Sequence, residues 1–273
     1  MTRLPPLREV IARHGLDARR SLGQHFLLDG NLTARIARQA GELKGRNVIE
    51  VGPGPGGLTR ALLATDARSI TAIEIDPRAV AAIHDLAATS QDRLRIISAD
   101  ALRTDLTTLV QAPRVIVANL PYNIASPLFV LWLRQAGGFE RMTLMFQQEV
   151  AKRICAAPGA AAYGRLSVLA QWTCDVALLQ QIPPTAFVPP PKVWSAVVQF
   201  VPHSRQPNAR LFAAMERLTA AAFGQRRKML RGALRVLGGV SLLRDAGIAP
   251  DRRAETLRVD EFERLAARLA PLP

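Results

Sequence analysis

The segment A-N-L-P-Y-N-I, from Ala118 to Ile124, places a carboxamide, a proline and an aromatic ring directly after an apolar run. Pro121 disfavours helical backbone angles at Leu120, so we expect the chain to leave the preceding strand in an extended conformation. The Asn119 side-chain oxygen and the carbonyl of Leu120 or Pro121 would then face outward together. Such a pair of acceptors could bind both hydrogens of an adenine amino group, and Tyr122 offers a face on which that base could stack. Taken alone, the segment is also compatible with a proline turn that ends a strand.

A glycine-rich loop lies upstream, in V-I-E-V-G-P-G-P-G-G-L-T, between a predicted strand and a predicted helix. Its glycines are Gly52, Gly54, Gly56 and Gly57. Glycines at this position let the backbone turn sharply and approach a ligand closely, at the crevice where open α/β sheets bind ligands. The loop alone is equally compatible with a tight structural turn or with a dinucleotide site.

Carboxylates follow the next two predicted strands. Glu74 ends the strand I-T-A-I-E-I-D, where it could accept hydrogen bonds from both hydroxyls of a ribose. Asp100 follows I-I-S-A-D and is placed to meet a base or its amino group. The glycine loop and these two carboxylates therefore predict one nucleoside site at the carboxyl ends of three successive strands. A nicotinamide-dependent dehydrogenase would share the glycines and Glu74, but it would not need Asn-Leu-Pro-Tyr after the fourth strand.

Short β-rich runs alternate with amphipathic stretches from Asn47 onward, which predicts a doubly wound parallel sheet covered by helices. Two later runs, D-V-A-L-L-Q-Q-I and S-A-V-V-Q-F-V, predict an antiparallel addition at one edge. We predict a catalytic domain over residues 1–203, whose first 45 residues form a helical segment, and an all-helical domain over residues 204–273.

These motifs together resemble the S-adenosylmethionine-dependent adenine N6-methyltransferases of ribosomal RNA. The segments S-L-G-Q-H-F-L, F-Q-Q-E-V-A-K-R-I, F-V-P-P-P-K-V-W-S-A-V-V and A-A-F-G-Q-R-R-K-M-L-R are similar to the small-subunit dimethyladenosine transferases within that family. The resemblance runs from about Ser21 to the C-terminus. It implies a Rossmann-like sheet of the class I methyltransferase type, with S-adenosyl-L-methionine as methyl donor and no metal.

The resemblance also assigns site residues. The implied cofactor contacts are His25, Leu27, Gly52, Gly54, Glu74, Ile75, Asp100, Ala101 and Asn119. The implied catalytic residues are Asn119, Leu120, Pro121 and Tyr122, with Phe187 holding the target adenine against the tyrosine ring. His25 departs from the asparagine that the family commonly has, so this contact could depend on pH.

The chain carries 36 Lys and Arg against 22 Asp and Glu, a formal charge of +14 that should attract a polyanion. We predict phosphate contacts from Arg226, Arg227, Lys228 and Arg231 along one side of a helix, extended by Arg19 and Arg20. A solvated helix face is the alternative interpretation. The two cysteines, the lack of a long apolar run and the polar N-terminus indicate a cytoplasmic protein.

The resemblance implies that two adjacent adenosines of small-subunit ribosomal RNA are each methylated twice, within an immature subunit and by a monomer. Two alternatives remain open within this interpretation. One is a macrolide-resistance-type methylase that acts on a large-subunit adenine. The other is a ribosome-assembly factor in which methylation is secondary. Binding of a dinucleotide without S-adenosylmethionine would favour the dehydrogenase instead.

Overall fold

The computed structural model describes residues 4–16 and 24–270, so the predicted phosphate contacts Arg19 and Arg20 lie outside the described residues. The chain divides into two compact units. The first comprises Met1–Gln148 and Ala177–Val201, and the second comprises Glu149–Val176 and Pro202–Pro273. This division differs from the single boundary predicted at residue 203, because residues 149–176 belong to the second unit.

One mixed sheet contains seven of the strands in the described chain. They are β2 (Asn47–Val51), β3 (Ser69–Glu74), β4 (Leu94–Ser98), β5 (Arg114–Asn119), β6 (Arg141–Gln147), β7 (Cys174–Ile182) and β9 (Ser195–Pro202). Their order across the sheet is β4-β3-β2-β5-β6-β9-β7. The strands β4, β3, β2, β5 and β6 run parallel, whereas β9 is antiparallel to β6. The reversal of strand order on either side of β2 brings the carboxyl ends of β2, β3 and β5 to one crevice.

Helices connect the parallel strands. Those of the first unit are α1 (Leu7–Arg13), α2 (Gly30–Gln39), α3 (Gly57–Leu63), α4 (Pro77–Ala87), α5 (Leu106–Leu109) and α6 (Ala125–Leu133). All five residues of β2 are buried. Successive side chains of a strand point to opposite faces of the sheet, and Val48 belongs to the apolar cluster on one of these faces. Continuous burial of this kind requires cover on both faces. The predicted doubly wound α/β fold with an antiparallel addition is therefore confirmed.

A second, two-stranded sheet pairs β1 (Phe26–Leu27) with β8 (Phe187–Val188) in antiparallel register. Leu27 lies opposite Phe187, and Phe26 lies opposite Val188. The pairing joins two segments that are about 160 residues apart in sequence, and it brings His25 next to the loop that follows β8.

The second unit is helical. Its helices are α8 (Arg165–Thr173), α9 (Ala209–Gly224), α10 (Leu230–Ala233), α11 (Gly239–Asp245) and α12 (Val259–Leu269), and α7 (Gln148–Ile154) begins at the last residue of the first unit. Aromatic contacts fill the centre of this unit, where Phe223 stacks on Phe262 at 5.6 Å and meets the edge of Tyr163 at 6.0 Å. In the part of the chain that the structure describes, no helix is both long and apolar enough to span a membrane.

Candidate active site

A cavity of about 230 Å³ lies at the carboxyl ends of β2, β3 and β5. It brings together most of the predicted site residues: His25, Leu27, Gly52, Gly54, Glu74, Ile75, Asp100, Asn119, Leu120, Pro121 and Tyr122. Ala101 is buried and does not line the cavity, whereas its neighbour Leu102 does. The exposed apolar side chains of Ile75 and Leu102 form walls suited to the faces of a base.

The glycine loop allows two close approaches. Gly52 has a φ of +70°, and a Cβ there would lie 3.3 Å from the ring of Pro121, so this glycine permits contact between the loop and the proline turn. A Cβ on Gly57 would lie 2.4 Å from the backbone oxygen of Leu27. The absence of a side chain at Gly57 thus lets β1 lie against the start of α3. The small size of these glycines therefore lets the loop pack against Pro121 and β1, in addition to leaving room for a ligand.

Glu74 is a buried carboxylate held by backbone amides. Its Oε1 accepts hydrogen bonds from the amides of Ile75 at 2.8 Å and Asp76 at 2.9 Å, and its Oε2 accepts a longer one from Gly54 at 3.4 Å. Burial raises the pKa of Glu74, and these amides act to lower it. Because a carboxylate has about four acceptor positions, Oε2 keeps room for one further donor. This arrangement suits one ribose hydroxyl better than the two predicted from the sequence.

Glu50, in the middle of the buried strand β2, also lines the cavity and was missed by the sequence analysis. It is 1% exposed, and no described residue is hydrogen-bonded to its Oε2. Burial, with a smaller contribution from the Glu74 carboxylate, raises its pKa to about 8, against a lowering by the Thr59 side chain. The sequence feature that could have identified Glu50 is its position as an acidic residue inside the apolar run V-I-E-V. A buried carboxylate without a partner is a place for a ligand's cationic group or hydrogen-bond donor.

Asp100 has a structural task as well as a place in the cavity. Its Oδ1 accepts a hydrogen bond from the amide of Leu102 at 2.9 Å and so caps the turn that follows β4. Its Oδ2 lies 3.7 Å from the guanidinium of the exposed Arg103. An ion pair this exposed is weak, so Oδ2 can be shared with a ligand donor.

Asn119 is the last residue of β5, and its carboxamide has a defined orientation. The Nδ2 atom donates a hydrogen bond to the backbone carbonyl of His25 at 3.2 Å. A carbonyl can only accept, so this bond fixes which end of the amide is nitrogen and leaves Oδ1 as the free acceptor. The carbonyl of Pro121 accepts from the amide of Ile124 at 3.1 Å, whereas no described residue donates to the carbonyl of Leu120. Of the two carbonyls predicted as the second acceptor, that of Leu120 is the available one.

Tyr122 is held from its hydroxyl end. Its Oη lies 2.5 Å from the Oγ of Ser195, the first residue of β9. Burial raises the pKa of Tyr122, so the phenol stays neutral at physiological pH. The hydroxyl end of the ring is thereby fixed at the start of β9, and the residue lines the same cavity as Asn119.

His25 lies between the two rings that were predicted to enclose an adenine. Its imidazole centroid is 5.4 Å from that of Tyr122 and 6.5 Å from that of Phe187, and its Nδ1 is 2.8 Å from the carbonyl of Pro189. Phe187 is 2% exposed and packs in the core beneath β1 rather than lining the cavity. In this arrangement a base that enters against Tyr122 meets the imidazole before it meets Phe187. The sandwich between Tyr122 and Phe187 stays a prediction, and it requires the imidazole to move.

The family model described as ribosomal RNA adenine dimethylase matches residues 15–271. The chain belongs to this family. The adenine dimethylase family is the one predicted from the motifs, and that prediction is confirmed.

Curated relatives of the dimethylase family are similar over nearly the whole chain. A protein of Gluconobacter oxydans named ribosomal RNA small subunit methyltransferase A is 60% identical over 263 residues, which are 96% of this chain and 87% of that protein. A protein of the same name from Paramagnetospirillum magneticum is 56% identical and covers 98% of this chain and 96% of its own length.

Two solved structures have a similar fold. A dimethyladenosine transferase from Plasmodium falciparum superposes with a TM-score of 0.75 at 25% identity, covering 88% of this chain and 96% of that one. The 23S rRNA methyltransferase ErmE superposes with a TM-score of 0.65 at 26% identity, covering 89% of this chain and 99% of that one.

The basic cluster of the second unit is not the helix face that we predicted. Helix α9 ends at Gly224, residues 225–229 form a turn, and only Arg231 lies in the following helix α10. Arg226 is exposed but bonded to other segments of the unit, because its guanidinium donates to the carbonyl of Tyr163 at 3.1 Å and pairs with Glu255 at 3.2 Å. These bonds draw the chain away from the helical path after the glycine.

The other three cations of the cluster, Arg227, Lys228 and Arg231, are exposed and form no ion pair with any described residue. They remain available for phosphates, whereas Arg226 is already paired. Within residues 4–16 and 24–270, no group of three His, Cys, Asp or Glu side chains is arranged to hold a metal ion.

Proposed function

We propose that this protein transfers methyl groups from S-adenosyl-L-methionine to the N6 atoms of two adjacent adenosines in small-subunit ribosomal RNA, methylating each adenosine twice. Membership of the adenine dimethylase family and the names of the relatives at 55–60% identity support this assignment. The observation that carries it is the Asn119 carboxamide, whose Oδ1 is left free beside a cavity lined by carboxylates.

The cavity fits the proposed methyl donor by charge. Three acidic side chains line it, from Glu50, Glu74 and Asp100, and the raised pKa of Glu50 means that its carboxyl ionises at neutral pH only when a cation binds beside it. A sulfonium and an ammonium group would be attracted by these carboxylates, whereas the pyrophosphate of a nicotinamide dinucleotide would be repelled. The unpartnered Oε2 of Glu50 suits the ammonium group, Oε2 of Glu74 suits a ribose hydroxyl, and Asp100 suits the amino group of the base. When bound, S-adenosylmethionine supplies an electrophilic methyl group and leaves as a neutral thioether.

The chain's own part in the transfer is to hold the acceptor nitrogen. Asn119 Oδ1 and the Leu120 carbonyl would accept the two hydrogens of the adenine amino group and draw its lone pair out of conjugation with the ring. The nitrogen becomes positive as its bond to carbon forms, and both oxygens present the negative ends of their dipoles to that charge. Neither acceptor needs to reorient, because the His25 carbonyl fixes the amide and the strand end fixes the backbone.

The helical second unit would supply affinity for RNA. Its free cations Arg227, Lys228 and Arg231 can contact phosphates, which give position and affinity rather than sequence reading. A cytoplasmic location, a monomeric state and action on an immature small subunit belong to the same proposal.

Incubation with labelled S-adenosylmethionine and unmethylated small subunits, followed by nucleoside analysis, tests the proposal. We expect N6,N6-dimethyladenosine at about two residues per subunit, and unmethylated large subunits serve as the matched control. Label in the large subunit alone would favour the large-subunit methylase, for which the similarity to ErmE is the supporting observation. Absence of dimethyladenosine from both subunits would refute the proposed activity.

The assembly-factor alternative needs a separate test, in which Asn119→Ala is expressed in cells that lack the protein and show a subunit-assembly defect. If methylation is the main function, the variant loses both methylation and rescue. Full rescue without methylation would make binding the dominant role.

A further inference from the structure

The loop that joins β8 to β9 presents apolar and cationic side chains to solvent. We call residues 188–194 the Trp194 loop. Trp194 is 46% exposed, Val188 and Val193 are each 44% exposed, and Lys192 is exposed beside them. The other two tryptophans of the chain are buried. A large apolar surface left open beside a candidate site indicates a binding surface.

Both ends of the Trp194 loop are fixed to the groups that hold the acceptor base. At the start, the carbonyl of Pro189 accepts from Nδ1 of His25 at 2.8 Å. At the end, the carbonyl of Trp194 accepts from the amide of Gln148 at 2.8 Å, and the next residue, Ser195, holds the hydroxyl of Tyr122. The backbone on both sides of the indole is therefore tied to His25 and Tyr122, which line the candidate site.

The surroundings of the Trp194 loop are cationic. Val188 also lines a second cavity, of about 560 Å³, together with Arg8 and Arg35. Neither arginine forms an ion pair with a described residue, and both are exposed. Asp29 lines the same cavity, but its Oδ1 is occupied by the amides at the start of α2. Together with Lys192, these charges favour a polyanion over an apolar protein partner.

We propose that the Trp194 loop binds single-stranded RNA next to the target adenosine, with a flanking base stacked on the Trp194 indole and a phosphate paired with Lys192. This inference rests on the proposed function. A base drawn out of its stack leaves its neighbour without a stacking partner, and the exposed indole, one residue before the Ser195 that holds Tyr122, can replace the lost contact. Stacking on an aromatic ring tolerates any base, so the loop contributes affinity and position rather than sequence reading.

Acrylamide quenching of tryptophan fluorescence tests the contact without relying on turnover. The probe is a single-stranded oligoribonucleotide with two adjacent adenosines, added to the full-length protein in the presence of S-adenosylhomocysteine. Because Trp132 and Trp172 are buried, quenching of the free protein reports mainly on Trp194. We expect saturating RNA to lower the quenching constant about three-fold, and a Trp194→Phe variant to show little quenching with or without RNA.

Methylation kinetics provide the second measurement. We expect Trp194→Ala to raise KM for small subunits about ten-fold, equivalent to about 1.4 kcal/mol, with kcat within about two-fold and affinity for S-adenosylmethionine unchanged. Trp194→Phe should keep most of the affinity, since a phenyl ring still stacks. Leu178→Ala removes a comparably exposed apolar side chain from β7 and should leave KM unchanged.

The outcomes separate this inference from the proposed function. If the wild-type protein methylates small subunits, but bound RNA leaves Trp194 fully quenchable and Trp194→Ala has the wild-type KM, the inference is wrong and the function stands. If the wild-type protein makes no dimethyladenosine, the proposed function is wrong, and the quenching measurement alone decides whether the loop binds RNA.

Discussion

The carboxyl edge of the sheet and the basic turn at residues 225–229 use polar side chains in opposite ways. At the sheet edge, Glu50 and Glu74 are 1% and 7% exposed, and the Glu74 and Asn119 side chains are held by backbone groups. At the basic turn, Arg227 and Lys228 are exposed and unpaired with any described residue. The first region fixes a few polar atoms at defined positions, and the second presents charge without fixing it.

This difference follows from the two tasks. Holding an amine for methyl transfer requires acceptors with the right distance and direction, and such groups must be organised before the reaction. Binding a phosphate chain requires only positive charge within reach, so flexible exposed side chains suffice. We therefore expect substitutions at the sheet edge to alter rate and stability, and substitutions at the basic turn to alter RNA affinity.

The largest effect should come from Asn119→Ala, which removes the oriented acceptor. We expect kcat to fall by about 10²–10³-fold, the loss typical of one organised polar group in an active site. Single-turnover methylation of small subunits measures this effect. Asn31→Ala, at an exposed position of α2, is the control and should keep wild-type activity. A variant that retained more than a tenth of the wild-type kcat would show that the carboxamide is not the main acceptor.

The next effect concerns the buried Glu50. Its pKa is about 8 in the folded protein against 4.5 for an ordinary glutamate, so at pH values between these two the unfolded chain releases a proton that the folded protein keeps. Rising pH therefore favours unfolding across this window, and the total loss of stability is on the order of 5 kcal/mol above pH 8. Glu50→Gln should remove the loss and raise Tm at pH 8 in the ligand-free protein. Thermal unfolding at pH 5 and pH 8 measures this change, and equal pH dependence in both proteins would contradict the assignment.

A smaller effect should separate two glycines that each begin a helix. An alanine Cβ at Gly57 would collide with the Leu27 carbonyl, whereas Gly30 has nothing within 4 Å of that position. We expect Gly57→Ala to lower the free energy of unfolding by about 1–3 kcal/mol and to weaken S-adenosylmethionine binding. Gly30→Ala should be neutral or slightly stabilising. Thermal unfolding and calorimetric titration measure both, and similar behaviour of the two variants would argue against close packing of β1 on the loop.

The smallest effects should distinguish two residues of the basic turn, Arg226 and Arg227, by their contributions to stability and to RNA affinity. Arg226→Ala loses an ion pair and carbonyl contacts, so we expect the second unit to lose about 1 kcal/mol of stability. Arg227→Ala should change stability by less than about 0.5 kcal/mol, but it should lower RNA affinity and reduce the slope of log K against log salt by about one. Denaturation and salt-dependent RNA binding distinguish the two. If both variants affected only RNA binding, the structural role of Arg226 would be refuted.

The local sequence pattern was sufficient to predict which residues lie at the carboxyl edge of the sheet. The strand runs, the glycine loop and the acids at strand ends are set by short-range periodicity and by backbone geometry, so Glu74, Asp100 and Asn119 could be placed at one crevice from the sequence. The end of α9 was predicted less well. The run from Gln225 to Leu237 has helical composition, but the contacts of Arg226 with Tyr163 and Glu255 come from distant parts of the chain.

The sequence by itself determined the α/β class and the family and pointed to the proposed acceptor motif, because these depend on residue types and on spacings within about ten residues. Only the tertiary structure decided which atoms are free. It directed the Asn119 nitrogen to the His25 carbonyl and brought the imidazole into contact with the rings of Tyr122 and Phe187. Among the described residues, it left the Leu120 carbonyl and Oε2 of Glu50 without a hydrogen-bond partner. Each of these outcomes depends on segments brought together from far apart in the chain, through pairing and burial that no local pattern contains.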